Sequence, residues 1–257
     1  MKALHKAAIL GIAIAMGAVT SASADVTKIR WGTEAGYKPF MFKTADGELT
    51  GFDYDIGNAI CEVLEAECTW TEQAWDGIIP ALNARKYDAI LASMSITEER
   101  KRVVDFTGKY YQVGYRFVGK SDAGLTIEGL EGKTVGVQTG TVTENYLRAE
   151  RPDITIKAYP TQDEVWLDLA AGRIDAGFAN KIVVQDGFIS TDKGEGFEMF
   201  GPDYTEAKYF GEGTGIAVRK QDGELKEAIT NAIAELRASG KYQEINAKYF
   251  VFDIYGE

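Results

Sequence analysis

The chain reads as an α/β protein of two similar lobes that face each other across a cleft, and three observations predict this. First, the stretch from Trp75-Asp76-Gly77-Ile78-Ile79 to Lys86-Tyr87-Asp88-Ala89-Ile90-Leu91-Ala92-Ser93 recurs, loosely, from Gln162-Asp163-Glu164 to Arg173-Ile174-Asp175-Ala176-Gly177-Phe178-Ala179-Asn180. Each copy reads as helix, tight turn and buried strand. Their strand ends at Ser93 and Asn180 would then lie where open α/β sheets take ligands. The alternative is chance likeness between two ordinary helix–strand units. Second, apolar runs and helical periodicities alternate along the chain. Third, two extended stretches, residues 106–117 (rich in Tyr and Val) and 203–215 (three glycines and the pair Tyr209-Phe210), suit crossings between lobes.

The amino terminus sets the compartment. Residues 1–6 are cationic, residues 7–19 are apolar but too short to span a bilayer, and Ala22-Ser23-Ala24 has the small-x-small pattern of a signal peptidase site. Residues 1–24 are therefore expected to be a cleaved signal peptide, and the mature, exported chain to begin at Asp25. A retained anchor is the alternative, but the junction has no lipobox cysteine and no later segment is apolar and long enough to span. Loss of Lys2 and Lys6 takes the formal charge from −11 to −13. An acidic surface disfavours nucleic acid and anionic membranes as partners. It mildly favours a cationic ligand, though it equally serves solubility.

Two residue counts exclude whole chemistries. The single histidine, His5, falls in the signal segment, so the mature chain runs no Ser-His-Asp or Cys-His mechanism and builds no histidine zinc site. The two cysteines, Cys61 and Cys68, are close in sequence in an exported chain, which favours a disulfide over a nucleophile or metal site. Neither a metal nor a cofactor is implied.

In order along the mature chain, residues 28–32 read as a strand, 37–40 as a loop, and Gly51-Phe52-Asp53 as a turn into a helix bearing Ile56, Ala59, Ile60, Val63 and Leu64. Cys61 and Cys68 would tie the helix over 55–64 to a strand over 67–71. Residues 74–84 read as a second helix and 88–92 as a buried strand. Residues 133–138 form a strand, Thr139-Gly140 a turn, and Thr141 starts a helix. Residues 224–239 are helical and return to the first lobe.

The local chemistry points to anion capture. Thr141-Val142-Thr143-Glu144 is a capping-box pattern after a strand and a glycine, and such a helix start offers unpaired N–H groups to a carboxylate. Most capping boxes merely start helices. Thr97 suits the N-cap of a helix carrying Glu98 and Glu99 in its first turn, with Ser93 and Ser95 at the preceding strand end and Arg100 projecting nearby. Arg100 offers the planar fork that carboxylates accept, although it also sits in a charge run, 98–102, that a solvated face would explain.

These features converge on a family. Gly51-Phe52-Asp53-Tyr54-Asp55, Cys61 with Cys68-Thr69-Trp70, Trp75-Asp76-Gly77-Ile78-Ile79-Pro80, Asp88-Ala89-Ile90, Ser93-Met94-Ser95-Ile96-Thr97 with Arg100, Val135-Gly136-Val137-Gln138, Ala171-Gly172-Arg173-Ile174-Asp175-Ala176, and Lys208 to Gly215 occur in the order found in the periplasmic amino-acid-binding proteins of ABC importers. The mature chain resembles the lysine/arginine/ornithine- and histidine-binding subgroup throughout. The resemblance implies the type II periplasmic binding fold: two Rossmann-like lobes joined by a two-strand hinge. Lobe 1 would comprise residues 25–112 and 213–257, and lobe 2 residues 113–212 including the crossings.

Position by position, the resemblance implies that Arg100 clamps a ligand α-carboxylate with the backbone of Ser95 and Val142, and that Ser93 accepts from the α-ammonium. Tyr37 and Trp75 would sandwich the side chain, with core packing as their alternative role. Glu34 would meet a distal cation, with a solvated surface role as its alternative. Thr143 and Gln138 would form walls. Three positions depart from the pattern: Asn180 stands where the subgroup has an aspartate for the α-ammonium, Ala92 replaces a serine, and Gln138 replaces an apolar wall residue. Asn180 and the run over 72–80 also resemble octopine-binding proteins, so an opine is the second candidate ligand. The implied partners are a polar, basic amino acid and an inner-membrane permease, with the chain a periplasmic monomer. Two other classes share the fold: a dehydratase of a cyclic acid, using Glu34 as acid/base, and a sensory domain, which needs a membrane segment this sequence does not contain.

Overall fold

The computed structural model describes residues 26–256, so the expected signal peptide lies outside the described residues. The chain begins with β1 (Lys28–Thr33), a small hairpin β2 (Phe42–Lys43) and β3 (Leu49–Thr50), α1 (Phe52–Val63) and β4 (Glu67–Glu72). It continues through α2 (Ile78–Asn83), β5 (Ala89–Ile90), α3 (Glu98–Lys101) and β6 (Asp105–Tyr111). A second unit follows: β7 (Tyr115–Lys120), β8 (Thr134–Gln138), α4 (Val142–Glu150), β9 (Thr155–Tyr159), α5 (Gln162–Ala170), β10 (Ala176–Asn180), α6 (Lys181–Val184), β11 (Phe197–Tyr204) and α7 (Ala207–Phe210). The chain then returns as β12 (Thr214–Val218), α8 (Gly223–Ser239) and α9 (Lys241–Tyr249).

These strands make two five-stranded sheets, ordered β4-β1-β5-β12-β6 and β11-β7-β10-β8-β9. Reversing the second order gives β9-β8-β10-β7-β11, and strand directions then match pair for pair. The first three strands of each sheet are parallel. The fourth and fifth each run antiparallel to their inner neighbour. The two echoed segments, α2 with β5 and α5 with β10, occupy equivalent places. The internal likeness is thus a property of the architecture rather than of chance.

Central strands such as β10 and β12 are buried along their whole length, as strands covered on both faces must be. Helix α1 buries Ile56, Ala59, Ile60 and Cys61 on one stripe, and α8 buries Ala228, Ile229, Ala232, Ile233 and Leu236. An aromatic cluster of Phe40, Phe52, Tyr110, Tyr111, Tyr242 and Phe250 fills the first lobe. Tyr115, Phe117, Tyr146, Phe178, Tyr204 and Phe210 fill the second. Cys61 and Cys68 form a disulfide with a Cα–Cα distance of 6.1 Å, tying the end of α1 to β4.

Four elements differ from the sequence reading. Residues 106–117 are not one crossing but two strands, each hydrogen-bonded into its own sheet, so the join shrinks to Gln112, Val113 and Gly114. An extended backbone needs partners for its polar groups, and the two sheets supply them. The second crossing likewise contracts around α7 and is laddered onto the loop after β5, with Ile96 N–H on Gly213 O at 2.8 Å and Gly215 N–H on Met94 O at 3.0 Å. The helix over 74–84 splits into a 3₁₀ turn, Trp75–Gly77, and α2, because Pro80 lacks an N–H and is tolerated only in a first turn. Helix α1 also begins earlier than residue 55, after Gly51. That glycine has φ of 127°, and a Cβ there would meet Phe40 O at 2.3 Å.

Candidate ligand-binding cleft

The expected site residues gather at the carboxyl ends of the parallel strands. Glu34 follows β1, Ser93 and Ser95 follow β5, Gln138 ends β8, and Val142 and Thr143 open α4. Arg100 lies in α3, and Tyr37 and Trp75 lie in the loops after β1 and β4. Nine of the ten line one cavity with about 510 Å³ of empty space, mouth included: Glu34, Tyr37, Trp75, Ser93, Ser95, Arg100, Gln138, Val142 and Thr143. Asn180 does not line it, although its neighbour Ala179 does. Asn180 is 2% exposed and its Oδ1 accepts from Ile182 N–H at 2.9 Å, capping α6.

Arg100 lines the cavity from α3. Its Nη1 donates to Ser95 O at 3.0 Å and its Nη2 to Gly140 O at 3.3 Å, while its guanidinium lies 5.2 Å from the Trp75 ring centre. No carboxylate pairs with it among the described residues, and burial pulls its pKa down. A half-buried cation held only by carbonyls and a ring favours an incoming anion.

Glu34 lines it from the loop after β1. Burial pushes its carboxyl up to about 7, against hydrogen bonds from Gln138 and the Trp75 backbone that pull it down, with Asp163 and Asp76 raising it further. No basic side chain pairs with it among the described residues. Among the described residues the cavity lining therefore carries both an unpaired cation, Arg100, and an unpaired acid, Glu34.

The same lining holds a feature the sequence reading missed. Asp53 lines the cavity, is fully buried, and accepts from Ser93 N–H at 2.8 Å, Ser93 Oγ at 3.0 Å and Tyr110 Oη at 2.9 Å. Burial lifts its pKa to about 6 despite these bonds. Because the Ser93 hydroxyl donates to Asp53, its lone pairs remain for a donor on the ligand. Met41, Ala92, Tyr115, Thr141, Gln162 and Ala179 complete the lining. Thr141 and Ala92 stand in the sequence reading, as the helix start and as a departure from the pattern, and Asp53 had a signal in the Gly51-Phe52-Asp53 run. An acid in the first turn of a helix, however, reads more simply as a dipole partner.

The start of α4 is correctly placed but differently capped. Thr141 Oγ1 accepts from Glu144 N–H at 3.4 Å, yet the Glu144 carboxylate reaches Gly140 N–H at 2.6 Å rather than the N-cap residue. A full capping box forms instead at Thr161 and Glu164 in α5. The reason is Gly140, whose φ of 71° turns its N–H toward Glu144. Its carbonyl meanwhile receives Trp75 Nε1 at 3.2 Å and Arg100 Nη2. With Gln138 on Glu34, Ser95 Oγ against Tyr115 Oη at 2.8 Å, and Asn145 on Glu99 at 3.3 Å, these bonds shut the two lobes over the cavity. Thr97 caps α3 as expected, accepting from Arg100 N–H at 3.2 Å.

Known proteins resemble this chain in sequence and fold. The chain matches the bacterial extracellular solute-binding proteins, family 3, over residues 29–252. It is 50% identical to the L-arginine-binding protein of Pseudomonas aeruginosa over 98% of this chain and 99% of that protein. It is 41% identical to the histidine-binding periplasmic protein of Escherichia coli over 96% and 97%. Among solved structures, a Salmonella typhimurium periplasmic binding protein described for its high arginine specificity superposes with a TM-score of 0.83 at 32% identity, covering 88% of this chain and all of that one.

Proposed function

The chain belongs to the bacterial extracellular solute-binding proteins of family 3, and on that premise we propose that it captures a basic amino acid between its lobes and delivers it to the inner-membrane permease of an ABC importer. The carrying observation is the polarity of the cavity. An α-carboxylate meets Arg100, with the first N–H groups of α4 beside it, while a distal cation meets Glu34. Ser93 accepts from the α-ammonium, and the Asp53 carboxylate behind it supplies the negative charge that Asn180 does not. Tyr37 and Trp75 flank the aliphatic stem, and Thr143 and Gln138 form the wall.

In this reading residues 25–112 with 213–257, and residues 113–212, are two bodies that hinge about the crossings, as a monomer in the periplasm after residues 1–24 are removed. The closed lobes present the surface that the permease recognises. Asn180, an amide already committed to capping α6, favours an opine as the second ligand, because a substituted amine asks less of a charge at that point.

The test is isothermal titration of residues 25–257, unfolded and refolded to strip carried ligand, against arginine, lysine, ornithine, histidine and octopine. Heat with one or more of the amino acids supports the reading. Preference for octopine moves the protein to the opine branch, and silence from all overturns it, reopening the dehydratase reading, which predicts turnover of a cyclic acid by the purified chain.

A further inference from the structure

Two buried amides of the second lobe line the cavity, and one of them bonds Glu34. Gln138 is 2% exposed, and its Nε2 donates to Glu34 Oε1 at 2.9 Å, Glu34 Oε2 at 3.0 Å and Pro160 O at 3.2 Å. A carboxylate and a proline carbonyl only accept, so the amide is locked in this sense and both of its hydrogens are engaged. Its Oε1 is left as the polar atom to be satisfied. Gln162 is 4% exposed, lines the same cavity, and its Nε2 finds no partner among the described residues. A buried amide without a partner costs about 1–3 kcal/mol, so it calls for a ligand group. Its two ends are equal in size, and a half turn about the last bond presents Oε1 in place of Nε2.

We propose that Glu34, Gln138 and Gln162 form a guanidinium collar across the two lobes, with Gln138 the residue that selects a guanidinium over an ammonium. The inference rests on the basic-amino-acid reading and narrows it. A carboxylate has about four acceptor sites, so Glu34 keeps about one after accepting from Gln138 and the Trp75 backbone. A lysine or ornithine ammonium is a point charge that Glu34 alone largely satisfies, whereas a guanidinium brings five N–H donors in a plane and needs acceptors on more than one side. The locked Gln138 Oε1 and the turned Gln162 Oε1 provide them. The sequence departure at Gln138, an amide where an apolar wall is the pattern, thereby acquires a chemical role. The same collar serves arginine and the guanidinium of octopine.

The experiment is a competition series by isothermal titration with arginine, lysine and citrulline, the last an uncharged isostere of arginine, on wild type, Gln138→Leu and Gln162→Leu, with melting curves to verify folding. Wild type should bind arginine at least about 10-fold tighter than lysine or citrulline. Gln138→Leu should lose about 10-fold for arginine and under about 3-fold for lysine, and Gln162→Leu should narrow the ratio in the same sense. If Gln138→Leu does not fold, the Gln162→Leu ratio decides. Equal losses for arginine and lysine, an unchanged ratio, or citrulline binding as tightly as arginine would overturn the collar while leaving a basic-amino-acid binder standing. Wild type silent to arginine overturns the collar, and silence to lysine, ornithine and histidine as well overturns the parent reading with it.

Discussion

Ser93 has φ of 52°, a left-handed backbone that a non-glycine residue adopts only when its surroundings insist on it. Asp53 supplies that insistence by holding both its N–H and its hydroxyl. Asp53 itself is buried at a cost: its folded pKa of about 6 lies above the ordinary 3.8, so folding is helped as pH falls from 6 toward 3.8 and the ionised form is disfavoured above that window. Stability is therefore not the reason for its charge. Asp53→Asn should keep the thermal midpoint close to wild type yet weaken a basic amino acid by about 10-fold, because the charge behind Ser93 is gone; an unchanged titration curve would remove Asp53 from the site. Arg100→Ala should cost about 3 kcal/mol or more of binding, since it strands a carboxylate in a cavity with no other unpaired cation among the described residues. Near-native affinity in that variant would sink the clamp. At this scale the residue types were legible from sequence, but the partnership of Asp53 with Ser93, forty positions away, was not.

At the scale of elements, periodicity located α1, α4, α5 and α8, together with β1, β5, β8 and β10, because each carries an apolar stripe or run of its own. What it misjudged were stretches whose pairing is non-local. Strands β6 and β7 looked like one extended crossing until each found its sheet, and the Glu144 side chain took Gly140 N–H because of a glycine dihedral that no pattern announces. The disulfide also belongs to this scale. It joins α1 to β4, and Cys68 Sγ receives Trp31 Nε1 at 2.8 Å, so it sits against the core beside β1. Replacing both cysteines by alanine should lower the unfolding free energy by about 2–3 kcal/mol in urea titration without changing ligand selectivity, since closing a short loop constrains chiefly the unfolded chain. A change in selectivity would show that α1 and its Asp53 depend on the bridge.

For the molecule as a whole, the shut cleft and the raised pKa of Glu34 are one phenomenon. Closure buries Glu34 beside Asp163 and Asp76 and lifts its carboxyl from 4.5 to about 7. In an opened cleft the group returns to its ordinary value, so closing the empty cleft takes up a proton. That closure is favoured as pH falls below about 7 and levels off below 4.5, with each pH unit between changing the closed-to-open ratio by up to about tenfold. Small-angle scattering of the ligand-free protein should show a smaller radius of gyration at pH 5 than at pH 8. Glu34→Gln should abolish the difference, and a saturating basic amino acid should hold the small radius at both values by replacing the proton with its own cation. A radius independent of pH in wild type would separate closure from Glu34.

The amino-acid sequence by itself determined the class of the protein. The twofold echo and the ordered motifs depend on local pattern, and local pattern survives in one dimension. It also named nine of the residues that line the cavity, because the resemblance to amino-acid-binding proteins carries them over position by position. Only the tertiary structure decided that Asn180 turns to cap α6 and leaves the lining, that Asp53 stands behind Ser93, and that Gln138 reaches across the lobes to Glu34. The physical reason is common to all three. A buried polar group is settled by whichever partner lies nearest in space, and in a two-lobe chain that partner is rarely near in sequence.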